Sequence, residues 1–345
     1  MIMFDDLIGN APAKEILSRL MAAGRVPNSM LFSGVEGVGK KRFALEIAKA
    51  FVCRDRQDKG PCGKCPSCRR VDSFAYPKSE NKDDYKRVFF TEHPDVGLVV
   101  AHNKNILVDA VRELEREAYF RPYEAQARFF IIEDADKMND AASNALLKTL
   151  EEPAQTSHIF LISSRPDSML QTIHSRCQVI RFAGLETRDI EQALLKTEKF
   201  SPVDAGLMSR LCGGSLGRAL AMDVEKFYAR REAMMTVVQS AISGGRAALL
   251  QTAESMNDAK NKDAYESSLE TLQALIRDVW ILRIGDDREK IVNFDLVERL
   301  DKLASLTDAA RLAGWITEIE LLRESLIVNV NRKIATGALF TQMAA

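Results

Sequence analysis

Residues 34–41 read Gly34-Val-Glu-Gly37-Val-Gly39-Lys40-Lys41, and they lie between a short apolar run and a segment with helical periodicity. A strand, a glycine-rich turn and a helix in this order form a loop whose backbone N–H groups point at an anion. The sequence therefore predicts an α/β fold in which a parallel sheet carries a phosphate-binding loop. The candidate binding residues are Gly34, Gly37, Gly39, Lys40 and Lys41.

The last position of this loop departs from the pattern G-x-x-x-x-G-K-[ST]. A Ser or Thr hydroxyl there would hold Mg²⁺ against nucleotide phosphates, whereas Lys41 offers an ammonium. An ammonium cannot ligate a metal cation, and its charge repels one. We therefore expect at most ATP binding through Lys40 and the loop amides, without Mg²⁺ and without efficient hydrolysis.

A second candidate element is the apolar run Phe129–Ile132, which ends in Glu133 and Asp134 and has the form of a Walker B strand. A working ATPase usually presents Asp and then Glu, so the reversed order here moves both carboxylates by about one methylene. Misplacement of that size can lower the rate roughly 10²-fold. The alternative is an acid cluster that caps the sheet edge and a helix starting near Asn139. The loop upstream favours a degenerate Walker B motif.

Four cysteines follow the helix after the loop at the spacing C-x₈-C-x₂-C-x₂-C, namely Cys53, Cys62, Cys65 and Cys68. Four thiolates this close favour a tetrahedral Zn²⁺ site, and the predicted zinc is structural because the protein would fill every coordination position. An iron–sulfur cluster and unliganded surface thiols are the alternatives. Cys212 is interpreted as packing in a helix.

Proline usage divides the chain, because all ten prolines lie at or before Pro202. Proline marks loops and interrupts helices, so this asymmetry predicts a mixed front and an all-helical back. The predicted domains are an α/β domain at 1–182 with the cysteine module inserted at 53–68, a small helical lid at 183–225, and a helical domain at 226–345.

Short apolar runs in the front half alternate with helical patterns, which is typical of a parallel sheet flanked by helices. The segment 69–92 is charged and turn-rich, and its middle is predicted to be a surface insertion. The predicted strands are Met30–Ser33, Val96–Ala101, Arg128–Ile132, Ile159–Ser163 and Gln178–Phe182.

Charge and hydropathy argue against a secreted or membrane-spanning protein. Lys and Arg (48) nearly balance Asp and Glu (49), so no global field indicates a nucleic-acid or membrane partner. The first ten residues contain two acids and no cationic segment before an apolar run, which is not a signal peptide. No stretch approaches the roughly 18 uninterrupted apolar residues of a transmembrane helix. We expect a cytoplasmic protein whose cysteines are thiols or metal ligands.

Taken together, these segments resemble the AAA+ clamp loaders of bacterial DNA polymerase III. The resemblance covers about residues 4–220, with the motifs in the family's order. From about 226 onward the chain shows only the helical character expected of the family's collar domain. The resemblance is carried by Phe4–Asn10, the loop at 34–41, the four cysteines, His93–Asp95, the Walker B strand, Leu146–Pro153, Ser163–Pro166 and Ser175–Cys177.

This resemblance implies a part in DNA replication, in which AAA+ subunits form a ring fragment that loads a sliding clamp on primed DNA. Gamma or tau subunits of the family hydrolyse ATP, while a structural member lends the arginine of its Ser-Arg-Cys motif to a neighbour's ATP. By this resemblance Arg176 is the candidate arginine finger in trans, although spacing alone would make it a surface charge. The implied partners are gamma or tau and delta subunits and, through the complex, the clamp and primer–template DNA.

One further position departs from the family pattern. The family's sensor-2 arginine follows a Gly-Ser-hydrophobic triplet, but here Gly214-Ser215-Leu216 is followed by Gly217, with Arg218 one place later. Together with Lys41 and the reversed acids, this favours a non-hydrolysing structural subunit over an active ATPase subunit of gamma or tau type. A zinc-bearing nucleic-acid-binding protein is the third alternative, and near-neutral charge argues against it.

Overall fold

The structure, a computed structural model, describes residues 4–55, 60–258, 264–285, 288–326 and 331–344. The chain divides into two units, Met1–Ala193 with Cys212–Leu220, and Leu194–Leu211 with Ala221–Ala345. The expected division into three domains, after residues 182 and 225, stays a prediction. Residues 56–59 of the cysteine module lie outside the described ranges. Within those ranges, no helix combines the length and the apolar character that crossing a bilayer requires.

The first unit is built on a six-stranded sheet. Its strands are β1 (Ser29–Gly34), β2 (Phe89–Phe90), β3 (Val96–Val99), β4 (Arg128–Ile132), β5 (Ser157–Ser163) and β6 (Gln178–Phe182). They lie in the order β2-β3-β4-β5-β1-β6. All neighbours pair in parallel except the edge strand β2, which is antiparallel to β3. The carboxyl ends of β1 and β4, where the glycine-rich loop begins and the Walker B acids lie, therefore reach the same edge of the sheet.

Side chains of the inner strands alternate between two buried faces. On one face Phe129 packs in a core that includes Phe43, and on the other Phe130 packs in a core that includes Leu114. Because both faces are covered, these strands read as continuous apolar runs. This continuity is the reason that the sequence locates them.

The helices follow in chain order. They are α1 (Ala11–Ala22), α2 (Lys40–Val52), α3 (Pro66–Asp72), α4 (Val108–Ala118), α5 (Asp140–Glu151), α6 (Gln171–His174), α7 (Thr187–Leu195), α8 (Pro202–Leu211), α9 (Leu216–Ala221), α10 (Val224–Ser243), α11 (Arg246–Asn257), α12 (Tyr265–Ile284), α13 (Val297–Ser305), α14 (Ala309–Ser325) and α15 (Arg332–Met343). Helix α5 begins where its cap predicts, because the Asn139 side chain accepts a hydrogen bond from the Ala142 N–H at 2.9 Å.

Among the described residues of the second unit, the regular elements are α-helices and short 3₁₀ turns. Helix α12 packs against α10, α13 and α14, and α11 packs against α15. The shared core contains Met235, Leu272, Ile276, Trp315 and Phe340. The fold class predicted from the sequence, an α/β front with an all-helical back, is confirmed.

The observed strands differ from the predicted ones mainly at their ends. Strands β4 and β6 agree in both bounds, β1 and β5 are longer than predicted, and β3 ends at Val99 instead of Ala101. The edge strand β2 is not predicted, because two residues are too few to show an alternation and they lie inside the charged segment 69–92.

Candidate functional site

The glycine-rich loop joins β1 to α2, in the strand–loop–helix context that the sequence predicts. Gly34 has a φ of 147° and Gly37 a φ of 75°, and these conformations favour glycine. A Cβ at Gly34 would lie 2.0 Å from the carbonyl oxygen of Phe182, so no side chain fits there. The N–H of Gly217 donates to the carbonyl oxygen of Gly37 at 2.9 Å. The position that departs from the sensor-2 pattern thus packs directly against the loop.

The first lysine of the loop is turned back onto the loop itself. The Nζ atom of Lys40 donates to the carbonyl oxygens of Gly34 at 2.6 Å and Val35 at 2.7 Å. Burial lowers the pKa of Lys40, against the attraction of nearby carboxylates, of which Glu36 is the strongest. Lys40 is therefore held by main-chain oxygens in the position from which it would otherwise reach a phosphate.

The second lysine is bound to the Walker B strand. The Nζ atom of Lys41 lies 2.6 Å from Oε1 of Glu133, and the two side chains are 26% and 18% exposed. The hydroxyl of Tyr76 donates to both carboxylate oxygens of Glu133, at 2.9 and 2.7 Å, and it also contacts the Lys41 ammonium. Three residues from the loop, the insertion and the strand β4 edge therefore meet in one cluster.

The second acid of the motif has a different partner. Asp134 has a φ of 50°, and its Oδ2 accepts a hydrogen bond from Lys137 at 2.8 Å. The left-handed backbone at Asp134 turns the chain away from the strand, so Glu133 and Asp134 point to separate cations. The reversed order of acids thus corresponds to two separate local ion pairs.

These contacts decide whether the loop suits a magnesium-bound nucleotide. Mg²⁺ requires oxygen ligands at about 2.0–2.1 Å in near-octahedral geometry. The hydroxyl ligand is replaced by Lys41, and both oxygens of Glu133 are already engaged by Lys41 and Tyr76. The residues present do not fit Mg²⁺, whereas a glycine-rich turn before a helix is a setting in which backbone N–H groups bind anions.

Asp136 joins the end of the Walker B region to the end of β5, a relationship that sequence reasoning missed. Its side chain is only 2% exposed and accepts hydrogen bonds from Ser163 Oγ at 2.8 Å and Arg165 Nη2 at 3.1 Å. Burial alone would raise the pKa of Asp136, but the hydrogen bonds from Ser163 and Arg165 outweigh it and lower the pKa. In the sequence, this contact could have been suspected only from the additional acid Asp136 after Asp134 and from Ser163 at the end of a predicted strand.

The four predicted cysteine ligands converge after α2. The Sγ atoms of Cys53, Cys62, Cys65 and Cys68 all lie within 4.8 Å of one another. Cys53 Sγ is 3.5 Å from Cys62 Sγ and 3.9 Å from Cys65 Sγ. The group can hold a metal ion, as predicted. Cys212 is buried outside this group, in the turn that follows α8 instead of within a helix.

Backbone groups prepare these sulfur atoms for a cation. The N–H of Cys62 donates to Cys53 Sγ and the N–H of Cys65 to Cys62 Sγ, both at 3.3 Å. Burial alone would raise the pKa of Cys65, but hydrogen bonds, chiefly from the Cys68 N–H, lower it to about 6. At Cys65 a thiolate, the form that binds metal ions, is thus accessible near neutral pH, whereas burial raises the pKa of Cys53 and of Cys68.

Arg176 follows α6, just before β6, and is paired locally. Its Nε donates to Glu151 Oε1 at 2.8 Å, and its Nη1 donates to the carbonyl oxygen of Thr172 at 2.9 Å. The Arg176 side chain is 30% exposed and that of Glu151 is 49% exposed. The guanidinium is thus oriented by two groups and remains partly open to solvent.

Two family profiles match the chain over most of its length. The one described as "DNA polymerase III, delta subunit" matches residues 9–186, and the one described as "DNA polymerase III, delta subunit, C terminal" matches residues 225–344. The first spans half of the chain, and the second begins one residue before the predicted helical domain.

Curated relatives point the same way. The DNA polymerase III subunit delta' of Bacillus subtilis is 27% identical over 319 residues, which cover 92% of this chain and 91% of the relative. The subunit delta' of Escherichia coli is 28% identical over 94% of this chain and 90% of the relative. A tau subunit of Salmonella typhimurium is 27% identical over 70% of this chain but only 36% of the relative.

Proposed function

The chain belongs to the DNA polymerase III delta subunit family, and on that premise we propose that it is a non-hydrolysing, delta'-like subunit of a replicative sliding-clamp loader. The observation that carries the proposal is the end-to-end match with two delta' subunits, each covered over about nine-tenths of its length. The proposed role places the protein in the cytoplasm. Its partners would be gamma or tau and delta subunits and, through the assembled complex, the clamp and primer–template DNA.

The loop geometry supports a subunit that does not hydrolyse ATP. Lys41 stands where the metal ligand should be, and it is paired with Glu133 at 2.6 Å. Hydrolysis of ATP depends on metal ions that bridge phosphate oxygens and neutralise the developing charge. Without them the loop can contribute an anion cradle but little transition-state stabilisation.

Arg176 is proposed to complete an ATP site on a neighbouring subunit. A guanidinium is always charged and planar, so it can bridge phosphate oxygens where negative charge develops. The ion pair with Glu151 does not prevent this, because pairs between partly exposed side chains contribute only about 0–1 kcal/mol. Breaking the Arg176–Glu151 ion pair so that Arg176 can bind a more highly charged phosphate therefore requires little free energy.

The four-cysteine group is proposed to hold a structural Zn²⁺. A tetrahedral zinc with about 2.3 Å to each sulfur places the sulfur atoms about 3.8 Å apart, close to the 3.5 and 3.9 Å separations of Cys53 from Cys62 and Cys65. All four ligands would be cysteine sulfurs, so the ion would stabilise the module without an open coordination position for substrate. Iron–sulfur ligation is the alternative that metal analysis would distinguish.

The alternative of an active gamma- or tau-type ATPase subunit is not favoured. The tau relative is matched over 36% of its own length, whereas the delta' relatives are matched over 91% and 90%. The sequence departures at Lys41, Glu133 and Gly217 also argue against it.

Reconstitution of a loader tests the proposed role. The chain would be combined with gamma or tau and delta subunits, the clamp and primed DNA, and ATP turnover and clamp loading would be measured with and without it. We expect negligible turnover by the chain alone and clamp loading that depends on its presence. Turnover at ordinary ATPase rates by the chain alone, or full loading in its absence, would contradict the proposal.

A further inference from the structure

The residues around the phosphate loop use, for contacts with one another, the atoms that a metal-bound nucleotide would need. On the basis of the non-hydrolysing role, we propose that the Lys41 ammonium is an internal cation at the metal position and that a strap, residues 73–77, holds it against Glu133. The loop is then closed to metal-bound nucleotide by the chain's own side chains, and not only weakened by the loss of one hydroxyl.

The ion pair supplies the first argument. Lys41 is the second residue of α2, and its Nζ lies 2.6 Å from Oε1 of Glu133. With side-chain exposures of 26% and 18%, the pair is shielded from bulk water, so its attraction is less screened than that of an exposed pair. A divalent cation could reach this carboxylate only by displacing the ammonium, and it would then face the ammonium's repulsion.

The strap supplies the second argument. The Tyr76 hydroxyl donates to both oxygens of Glu133, at 2.9 and 2.7 Å. Burial and the nearby Glu133 charge raise the pKa of Tyr76, so the hydroxyl stays protonated and remains a donor at neutral pH. Both carboxylate oxygens therefore share this one hydroxyl proton, and Oε1 also contacts the Lys41 ammonium.

Aromatic rings enclose the ammonium from the strap side. Lys41 Nζ lies 4.1 Å from the ring centroid of Tyr76 and 5.1 Å from that of Phe74. The two rings pack edge to face with centroids 4.9 Å apart. The ammonium contacts the Tyr76 hydroxyl at the edge of that ring, and the negative face of the Phe74 ring also attracts it, so the strap contacts the lysine as well as its carboxylate.

The strap is fixed on both sides, so these contacts are built into the first unit. Phe74 packs against the sheet core. The carbonyl oxygen of Ser73 accepts from the Glu92 N–H at 3.1 Å, and that of Pro77 accepts from the Tyr85 hydroxyl at 3.0 Å. On its N-terminal side, α3 is tied to α2 by the ion pair of Lys49 with Asp72 at 2.8 Å.

Metal-dependent nucleotide binding tests the inference on the purified full-length chain. Binding of a fluorescent ADP analogue would be titrated with and without Mn²⁺ for wild type and for the double variant Lys41→Thr, Tyr76→Phe, and bound Mn²⁺ would be counted by electron paramagnetic resonance. We expect no Mn²⁺ dependence in wild type. In the double variant, Mn²⁺ should tighten binding at least about tenfold, because the ammonium that repels a divalent cation is gone and a hydroxyl ligand takes its place.

Matched substitutions outside the cluster give the control. Lys86 pairs with Asp83 at 2.7 Å, and the Tyr119 hydroxyl donates to the Glu152 carbonyl oxygen at 3.2 Å. The variant Lys86→Thr, Tyr119→Phe makes the same chemical changes and should behave like wild type. Equal Mn²⁺-dependent binding by wild type and both variants would overturn the inference, as would a folded Lys41 double variant with no gain.

Amine reactivity provides a second measurement on the strap alone. Lys41 in wild type should be acylated at least about tenfold more slowly than exposed lysines, because both its charge pairing and its rings restrict access. Tyr76→Ala should raise the rate at Lys41 and leave Lys86 unchanged, and an unchanged Lys41 rate would overturn the role of the strap. The proposed role of Arg176 in trans is tested in the assembled loader, and its outcome does not depend on the outcome for Lys41 and the strap.

Discussion

Arg176 and Glu151 form an ion pair between the end of α5 and the turn before β6, with Nε and Nη2 of the guanidinium both donating to one carboxylate oxygen. The pair orients the arginine while leaving it 30% exposed. A guanidinium held in this way is ordered before a partner arrives, which reduces the entropy lost on binding a phosphate. The partner residue also makes it possible to separate a local role from a role in trans.

We expect Arg176→Ala to slow DNA- and clamp-stimulated ATP turnover and clamp loading in the assembled loader. Arginine fingers acting in trans contribute roughly 10³–10⁵ in turnover at their own site, and a complex with several sites will show a smaller effect. Glu151→Ala is the matched control, because it breaks the same pair and keeps the guanidinium. Equal losses in both variants, or no loss in either, would show that Arg176 is only a local ion-pair partner.

The isolated chain should show negligible ATP hydrolysis, because Lys41 and Glu133 neutralise each other where Mg²⁺ would bind. Steady-state phosphate release is the measurement. A Lys40→Ala variant purified in parallel identifies contaminants, since turnover that survives this change does not come from the loop. Rapid turnover that disappears in the variant would instead establish an active site.

Protein purified without chelator should contain one zinc per chain. Cys68→Ser should lose the metal and lower the unfolding midpoint, because metal binding supplies folding free energy to such modules. Cys212→Ser is a suitable control, since Cys68 and Cys212 are both fully buried but only Cys68 belongs to the cluster. Elemental analysis measures the zinc content and thermal unfolding measures the midpoint. Wild-type protein that contains no zinc would contradict the proposed site.

Asp136 should make the free energy of unfolding depend on pH. Its pKa is lowered from 3.8 in the folded protein, so the folded state binds the proton less tightly than the unfolded chain. The carboxylate therefore stabilises the fold above the ordinary Asp pKa, and this contribution is lost as the pH falls through the folded pKa. Asp136→Asn should cost about 1.5–3 kcal/mol at pH 7, the usual contribution of hydrogen bonds to a charged group.

Denaturant unfolding of wild type and Asp136→Asn between neutral pH and about pH 3 measures this contribution. The difference in free energy should shrink as the pH falls below the ordinary Asp pKa. Asp167→Asn, at an exposed neighbouring carboxylate, should show little effect at any pH. A difference for Asp136→Asn that stays constant across the range would mean that packing, and not charge, is lost.

Features encoded by local patterns could be read from the sequence. The strands appear as apolar runs because both sheet faces are covered, and the glycine-rich loop and the four cysteines are contiguous enough to be recognised by spacing. The same holds for the start of α5, where Asn139 caps the helix. In each case the sequence pattern lies within about one helix, strand or loop of the feature that it predicts.

The contacts around the candidate sites could not be read in this way. Tyr76 is 35 residues from Lys41 and 57 from Glu133, and it lies in an irregular segment without periodicity. Glu151 is 25 residues from Arg176. Such pairings depend on how the loops pack against the folded sheet. The spacing of residues along the chain does not indicate that packing. The sequence therefore identified the degenerate loop but not the residues that occupy it.

The ion pair and hydrogen bonds that join Lys41, Glu133 and Tyr76 restrict which substitutions this site tolerates one at a time. Lys41→Thr alone would restore a metal ligand but leave the half-buried Glu133 without its cation. Glu133→Asp alone would draw the carboxylate away from both of its partners. Since leaving a buried charged group unpaired is destabilising, each single step back toward an ATPase lowers stability before any activity returns. Metal-dependent hydrolysis at this loop would therefore require at least two coupled substitutions, because either one alone leaves a charged partner unpaired.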